Sequence, residues 1–255
     1  MMNQLGLYFP TSDGKEQIFA LYHPAQTERD SSEAVLVCPP APFEMRRSHR
    51  AQRNLARNLA NKGFHVLRFD YRGTGDSTGD FQTWSLAAWQ ADIKVAAEYL
   101  MNQYGIQRLS VVGTRLGATL ALNALQGFKV RRFILWDPIV DGQSYLDQLQ
   151  RSHEFLVSRE SDKPPYASVG RLQLLGFALT LDWQNELKEL RLNPGNARGL
   201  IIQSQKDLTL PNELGHLKAV TVDEDQQWHD PILLQLQSFA HQSIAAIEKA
   251  CEGKL

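Results

Sequence analysis

The chain has 255 residues, 27 of them Lys or Arg and 28 Asp or Glu, so it is nearly neutral overall. That balance argues against a nucleic-acid or anionic-membrane partner. No apolar run is long enough to span a bilayer, and Met1 to Pro10 lacks the basic-then-apolar pattern of a signal peptide. The two cysteines, Cys38 and Cys251, match no disulfide framework or metal spacing, so neither a metal nor a cofactor is expected and a reducing, cytoplasmic compartment is the default.

Leu5 to Phe9 and Gln17 to Tyr22 read as strands joined by the turn cluster Thr11-Ser12-Asp13-Gly14, an antiparallel hairpin at a sheet edge. Ala34 to Cys38 is short and wholly apolar, as a strand covered on both faces is. Pro39-Pro40-Ala41-Pro42 ends it. Phe43 to Lys62 has helical composition, with Leu55, Leu59 and Ala60 on one face and Gly63 as its stop. Phe64 to Phe69 is the next buried strand, followed by the turn-rich loop Asp70 to Ser77. Trp84 to Tyr104 carries Trp89, Ile93, Ala96, Ala97 and Leu100 at helical spacing. Leu109 to Val112 is a strand, Leu116 to Gln126 a helix rich in Ala and Leu, and Phe133 to Trp136 a strand closed by Asp137-Pro138. The rhythm then breaks. No buried strand is read from Asp141 to Asn196, only two or three amphipathic helical stretches. This is a small helical cap, residues 141–196, inserted in a single domain spanning 1–255. Gly199 to Ser204 and Lys218 to Val222 are the last strands, and Pro231 to Ala250 the final helix. Strands alternating with helices require crossover connections, hence an α/β architecture with a mainly parallel central sheet and helices on both faces. Ligands bind such sheets at the carboxyl ends of the strands.

The stretch Val111-Val112-Gly113-Thr114-Arg115-Leu116-Gly117-Ala118 has the form of a nucleophile elbow, Gly-x-Ser-x-Gly, in which a strand turns sharply into a helix. Its centre is Arg115. A guanidinium cannot be deprotonated in a protein and cannot attack a carbonyl. The rest of an acyl-transfer site nevertheless falls in order. Asp207 follows a strand where the orienting acid belongs, and His229 precedes the last helix where the general base belongs. Arg115, flanked by Thr114 and Leu116, stands at a helix N-terminus that already favours anions. Its planar fork fits a carboxylate or phosphate, or else it pairs with Asp207 as an internal salt bridge. The loop after Cys38 offers the backbone N–H groups of Ala41 and Phe43, since Pro40 and Pro42 have none. Glu44 complements a helix dipole, and Arg46 and Arg47 read as solvated charge. Asp70 and Arg72 read as a local pair that fixes their turn. Trp228, next to His229, is expected to line the pocket.

Asp70-Tyr71-Arg72-Gly73-Thr74-Gly75-Asp76-Ser77 resembles the Asp-x-Arg-Gly-x-Gly-x-Ser loop of the serine aminopeptidase-like group of the α/β-hydrolase superfamily. Three further features are similar to the exosortase A system-associated hydrolase type 2 group, which also tends to carry arginine at the elbow centre. They are Pro39-Pro40 with Glu44-Met45 and the basic helix start, the elbow itself, and Trp136-Asp137-Pro138-Ile139-Val140-Asp141-Gly142. The likeness covers most of Ala34 to Leu146. It implies an α/β-hydrolase fold and a hydrolase label, without a substrate. Three functions follow. The first is a fold that has lost the serine mechanism and binds a small anionic or acyl molecule through Arg115. The second is an active hydrolase of an ester, thioester or amide that uses His229 and Asp207 with water or a displaced nucleophile, Thr114 or Cys38. The third, which rests on the family association alone, is an accessory role with a protein partner in an exopolysaccharide or protein-sorting system.

Overall fold

Among the described residues eight strands form one sheet, whose order places the end of the Arg108–Thr114 strand at its centre. The computed structural model describes residues 4–27, 32–80, 84–159, 171–204 and 208–255. The strands are β1 (Leu5–Pro10), β2 (Gln17–His23), β3 (Glu33–Cys38), β4 (His65–Phe69), β5 (Arg108–Thr114), β6 (Val130–Trp136), β9 (Arg198–Gln203) and β10 (His216–Thr221). They lie in the order β1-β2-β4-β3-β5-β6-β9-β10. The β1–β2 and β2–β4 pairs are antiparallel and the rest are parallel. This is the α/β-hydrolase fold, with the hairpin at the expected edge.

Between the strands run α1 (Pro42–Asn61), α2 (Leu86–Gln103), α3 (Leu116–Ala124) and, at the end, α6 (His241–Glu252). Every residue of β3 is buried, because both faces are covered. Ala34, Leu36 and Cys38 join the core beneath α2 and α3, while Val35 and Val37 join the core beneath α1 and α6. Local chemistry sets the helix starts. Pro42 opens α1, where its missing N–H costs nothing. The Ser85 hydroxyl accepts the Ala88 N–H at 3.0 Å and starts α2 two residues later than the apolar pattern suggests.

The segment after β6 contains α4 (Gly142–Ser158), a two-stranded hairpin of β7 (Arg171–Leu174) and β8 (Phe177–Thr180), and α5 (Leu181–Glu189). The sequence reading has no strand in this segment; the structure places a hairpin there between the two helices. The two ends of the segment are tied together. Gly142 N–H donates to the Leu190 carbonyl at 2.9 Å, Leu192 N–H donates to the Val140 carbonyl at 3.0 Å, and Arg191 pairs with Asp141 at 3.0 Å. The final helix also differs from expectation. After Pro231 there is one 3₁₀ turn, Leu233–Gln235, and α6 begins only at His241. Ser238 N–H donates to the Arg47 carbonyl at 2.8 Å, which holds the intervening residues against α1 instead of in a helix. Among the described residues no helix is long and apolar enough to cross a membrane.

The Asp70–Ser77 loop is fixed differently from the expected local pair. Asp70 accepts the Asp76 N–H at 3.0 Å. Arg72 instead reaches α2, where Asp92 accepts its backbone N–H at 3.0 Å, its Nε at 2.8 Å and its Nη2 at 2.6 Å. Asp92 is fully buried. Truncation to alanine strands a guanidinium and a backbone donor together. Asp92→Ala is therefore expected to cost about 3–5 kcal/mol, read as a lower urea midpoint at unchanged slope.

Candidate functional site

The elbow forms at the end of β5. Arg115 takes φ 52° and ψ −123°, a left-handed conformation that costs a non-glycine residue about 1–3 kcal/mol. Its N–H donates to the Trp136 carbonyl at 2.9 Å and its carbonyl accepts the Ala118 N–H at 3.0 Å, so the sheet and the helix both hold the turn. Gly113 is required because a Cβ there would lie 2.3 Å from the Ala118 Cα.

The Arg115 side chain turns inward and is 2% exposed. Its Nε donates to Glu44 Oε1 at 2.9 Å, and the Tyr145 hydroxyl donates to Glu44 Oε2 at 2.8 Å. Its Nη1 donates to the Asp137 carbonyl at 3.4 Å. The guanidinium carbon lies 5.4 Å from the Tyr145 ring centre and 5.7 Å from that of Trp228, within cation–π range. Asp137 itself is buried at φ 45°. Its carboxylate accepts the Ser204 N–H and the Trp228 indole N–H, both at 2.8 Å, as well as the Ser204 hydroxyl. Among the described residues, the Arg115 guanidinium thus meets the Glu44 carboxylate and the backbone carbonyl of Asp137.

Burial pushes the Glu44 carboxyl above its ordinary value, against the pull of Arg115 and the Tyr145 hydroxyl. Burial works against the charged form of Arg115, but Glu44, Tyr145 and Asp137 together more than offset it and the guanidinium ends above its usual value. Burial and the Glu44 charge push the Tyr145 phenol well up. Arg115 and Glu44 form a buried pair at 2.9 Å with the Tyr145 hydroxyl as its third member.

A pocket of about 320 Å³ opens beside this pair, lined by Arg115, Ile139, Val140, Ser144, Tyr145 and Gln148 among others. Of the residues singled out in the sequence, Arg115 lines it. Trp228 does not; it is fully buried, with its indole on Asp137, and is core. His229 is exposed, and its backbone carbonyl accepts the Ser152 hydroxyl at 3.3 Å. No described contact joins its imidazole to Arg115, Glu44 or Asp137. Asp207 lies outside the described residues, as does any pairing of it with Arg115. Thr114 is fully buried, and its hydroxyl has no partner among the described residues. Burial pushes the Cys38 thiol well up, so it holds no thiolate. Ala41 precedes α1, and Leu116 is the first residue of α3; both are fully buried. Phe43 packs in an aromatic cluster with Phe177 at 5.8 Å and Trp183 at 6.3 Å, and it lines a separate cavity with Arg46. Arg47 is not solvated: its Nε donates to the Gln226 carbonyl at 2.6 Å and its Nη1 to the Leu233 carbonyl at 3.0 Å. A largely apolar cavity of about 390 Å³ lies between Pro40, Pro42 and Met45 on one side and the Asp70–Gly75 loop on the other. Among the described residues no group of three or more His, Cys, Asp or Glu could hold a metal ion.

Sequence reading missed Glu44 as the partner of Arg115, and it missed Tyr145 and Asp137. Glu44 stands in the first turn of α1, where an acid is ordinary, so nothing local marks it as the partner of a cation 71 residues away. Tyr145 had no signal either, since its reach to Glu44 depends on how α4 packs.

A family model described as serine aminopeptidase, S33 matches residues 45–188, which contain α2, the elbow and α4. An acyl transferase of Photobacterium phosphoreum is 25% identical over 107 residues, covering 42% of this chain and 34% of its own length. The lysophosphatidylserine lipase ABHD12 of Danio rerio is 29% identical over 178 residues, covering 66% of this chain and 41% of its own length. The chain therefore spans well under half of these curated relatives. Among solved structures, Est1E of Butyrivibrio proteoclasticus with ferulic acid bound superposes with a TM-score of 0.68 at 16% identity, over 97% of this chain and 98% of that one.

Proposed function

We propose that this chain, which belongs to the serine aminopeptidase S33 family of α/β-hydrolases, binds an uncharged acyl-bearing small molecule beside its elbow and does not run a serine acyl-transfer cycle. One observation carries the reading: the elbow presents Arg115, with its Nε bonded to Glu44 at 2.9 Å and the side chain 2% exposed. The position that must supply a nucleophile supplies an internally neutralised cation. The Glu44 carboxylate already pairs with that guanidinium at 2.9 Å, which argues for a neutral amide or ester group over a free anion. The pocket offers the Ser144 hydroxyl and the Gln148 amide beside Ile139 and Val140, a mix suited to one polar end and a short apolar tail. Two relatives are named for acyl transfer and for lipid cleavage, which agrees with an acyl ligand.

A fluorophosphonate probe and a thermal-shift series test this together. The protein is expected to stay unlabelled. Ethyl butyrate and hexanamide are expected to raise Tm more than hexanoate does. Ser144→Trp, an exposed position at the pocket, should remove that response. Covalent labelling, or a response that survives Ser144→Trp, would sink the reading.

A further inference from the structure

Arg68 on β4 takes no part in the elbow site, yet it is 8% exposed and its Nε is buried without a partner. Among the described residues its side chain makes no hydrogen bond and no ion pair. A buried guanidinium N–H without an acceptor costs free energy, and the Nε of Arg68 is in that position. The other buried arginines among the described residues are answered: Arg115 by Glu44, and Arg47 by two carbonyls. Burial pushes the Arg68 guanidinium down to about 10, with Asp70 opposing and the Arg53 charge adding to the effect. It still carries its charge at neutral pH.

The side chain faces a cavity of about 90 Å³, bounded by Leu21 of β2, by Met45, His49 and Gln52 of α1, and by Asp70. Leu21 sits opposite Arg68 in the β2–β4 pairing, which fixes the floor. Met45, His49 and Gln52 are four and three residues apart, so α1 presents them on one face. Asp70 attracts the guanidinium without touching it: among the described residues no ion pair joins the two, and Asp70 Oδ2 accepts the Asp76 N–H at 3.0 Å. His49 and Asp76 are exposed at the rim. The volume equals about three waters at ~30 Å³ each, the size of one compact oxyanion.

We propose that this cavity is a binding site for a compact oxyanion, held by the guanidinium of Arg68 between β2, the middle of α1 and the end of β4. The site is separate from the pocket at Arg115. Its ligand is either free phosphate or the carboxylate of a small molecule, and both chemistries fit the planar fork.

Thermal shift and calorimetry with sodium phosphate and with sodium acetate, each against sodium chloride at equal ionic strength, test the site in the full chain. At least one oxyanion should raise Tm in a saturable way, and the tighter of the two identifies the source. Arg68→Gln should abolish the response. If that variant does not fold, His49→Glu replaces it. This change is exposed and should weaken binding about tenfold by placing a carboxylate near the anion. No stabilisation by either salt over chloride overturns the proposal. So does an undiminished response in Arg68→Gln or in His49→Glu.

Discussion

Arg115→Met is expected to cost about 3–5 kcal/mol at neutral pH and clearly less near about pH 5, whereas Glu44→Gln should cost a similar amount at both. The asymmetry follows from which partner can discharge itself. In Arg115→Met the Glu44 carboxyl stays fully buried with the Tyr145 hydroxyl as its donor. Burial already pushes that carboxyl above its ordinary 4.5, and Arg115 is the largest influence pulling it back. Without Arg115 it rises further, so mild acid protonates it and removes the buried charge. In Glu44→Gln the guanidinium loses the carboxylate on its Nε and cannot shed its proton at any working pH. The double variant Arg115→Met/Glu44→Gln should recover most of either loss, because replacing a whole buried pair is often neutral or stabilising. The pH dependence also has a fixed sign. The folded pKa of Glu44 lies above its unfolded value, so its contribution to stability is full below 4.5 and is lost as pH rises through the folded value. The double variant should therefore gain on the wild type as pH rises from 4.5. Urea unfolding of the four proteins at two pH values checks this. Additive losses in the double variant would show that the two side chains are not coupled.

How far the sequence revealed this site depends on the range of each contact. The strands were legible because β3, β5, β6 and β9 carry runs of apolar residues that only two-sided burial explains. The elbow was legible because its strand, its two glycines and its small-residue helix are contiguous, and Gly113 is set by a contact only five residues away, with Ala118. The Arg115–Glu44 pair was not, since its members are 71 residues apart and an acid near a helix start has a sufficient local explanation. Arg47 was misread for a related reason. Its carbonyl partners, Gln226 and Leu233, are 179 and 186 residues away, and nothing near it in sequence marks it as buried. The β7–β8 hairpin escaped because its turn is Leu175-Gly176, with Leu175 at φ 51° where Asn or Asp would have advertised a tight turn. In the C-terminal stretch, the apolar run after Pro231 looked helical, but the backbone bond from Ser238 to Arg47 competes with helix and wins.

Gly117→Ala should destabilise the chain by about 3–5 kcal/mol, although the residue lies in the first turn of α3, where alanine normally favours a helix by about 1 kcal/mol. Propensity and packing have opposite signs here, and the distances decide. A Cβ on Gly117 would lie 2.0 Å from the Pro39 carbonyl oxygen and 2.8 Å from that of Cys38. Both are backbone atoms, so no side chain can swing aside. The Pro39 carbonyl is also held from the other side by the Tyr71 hydroxyl, which donates to it at 3.2 Å from a fully enclosed position. To admit a methyl group, α3 must lift from the end of β3 or the β3–α1 loop must shift. Either movement strains the Arg115–Glu44 bond, because the two residues sit on those two elements. Gly127→Ala is the control. Gly127 has φ 86° but nothing within 4 Å of the added Cβ, so it carries the left-handed backbone cost of about 1–2 kcal/mol and no clash. If Gly117→Ala costs no more than Gly127→Ala, the tight seat of the elbow on the β3 loop is not what holds Arg115 against Glu44. If it costs several-fold more, the same close approach that would let an elbow aim a nucleophile is here aiming a cation at its counter-ion.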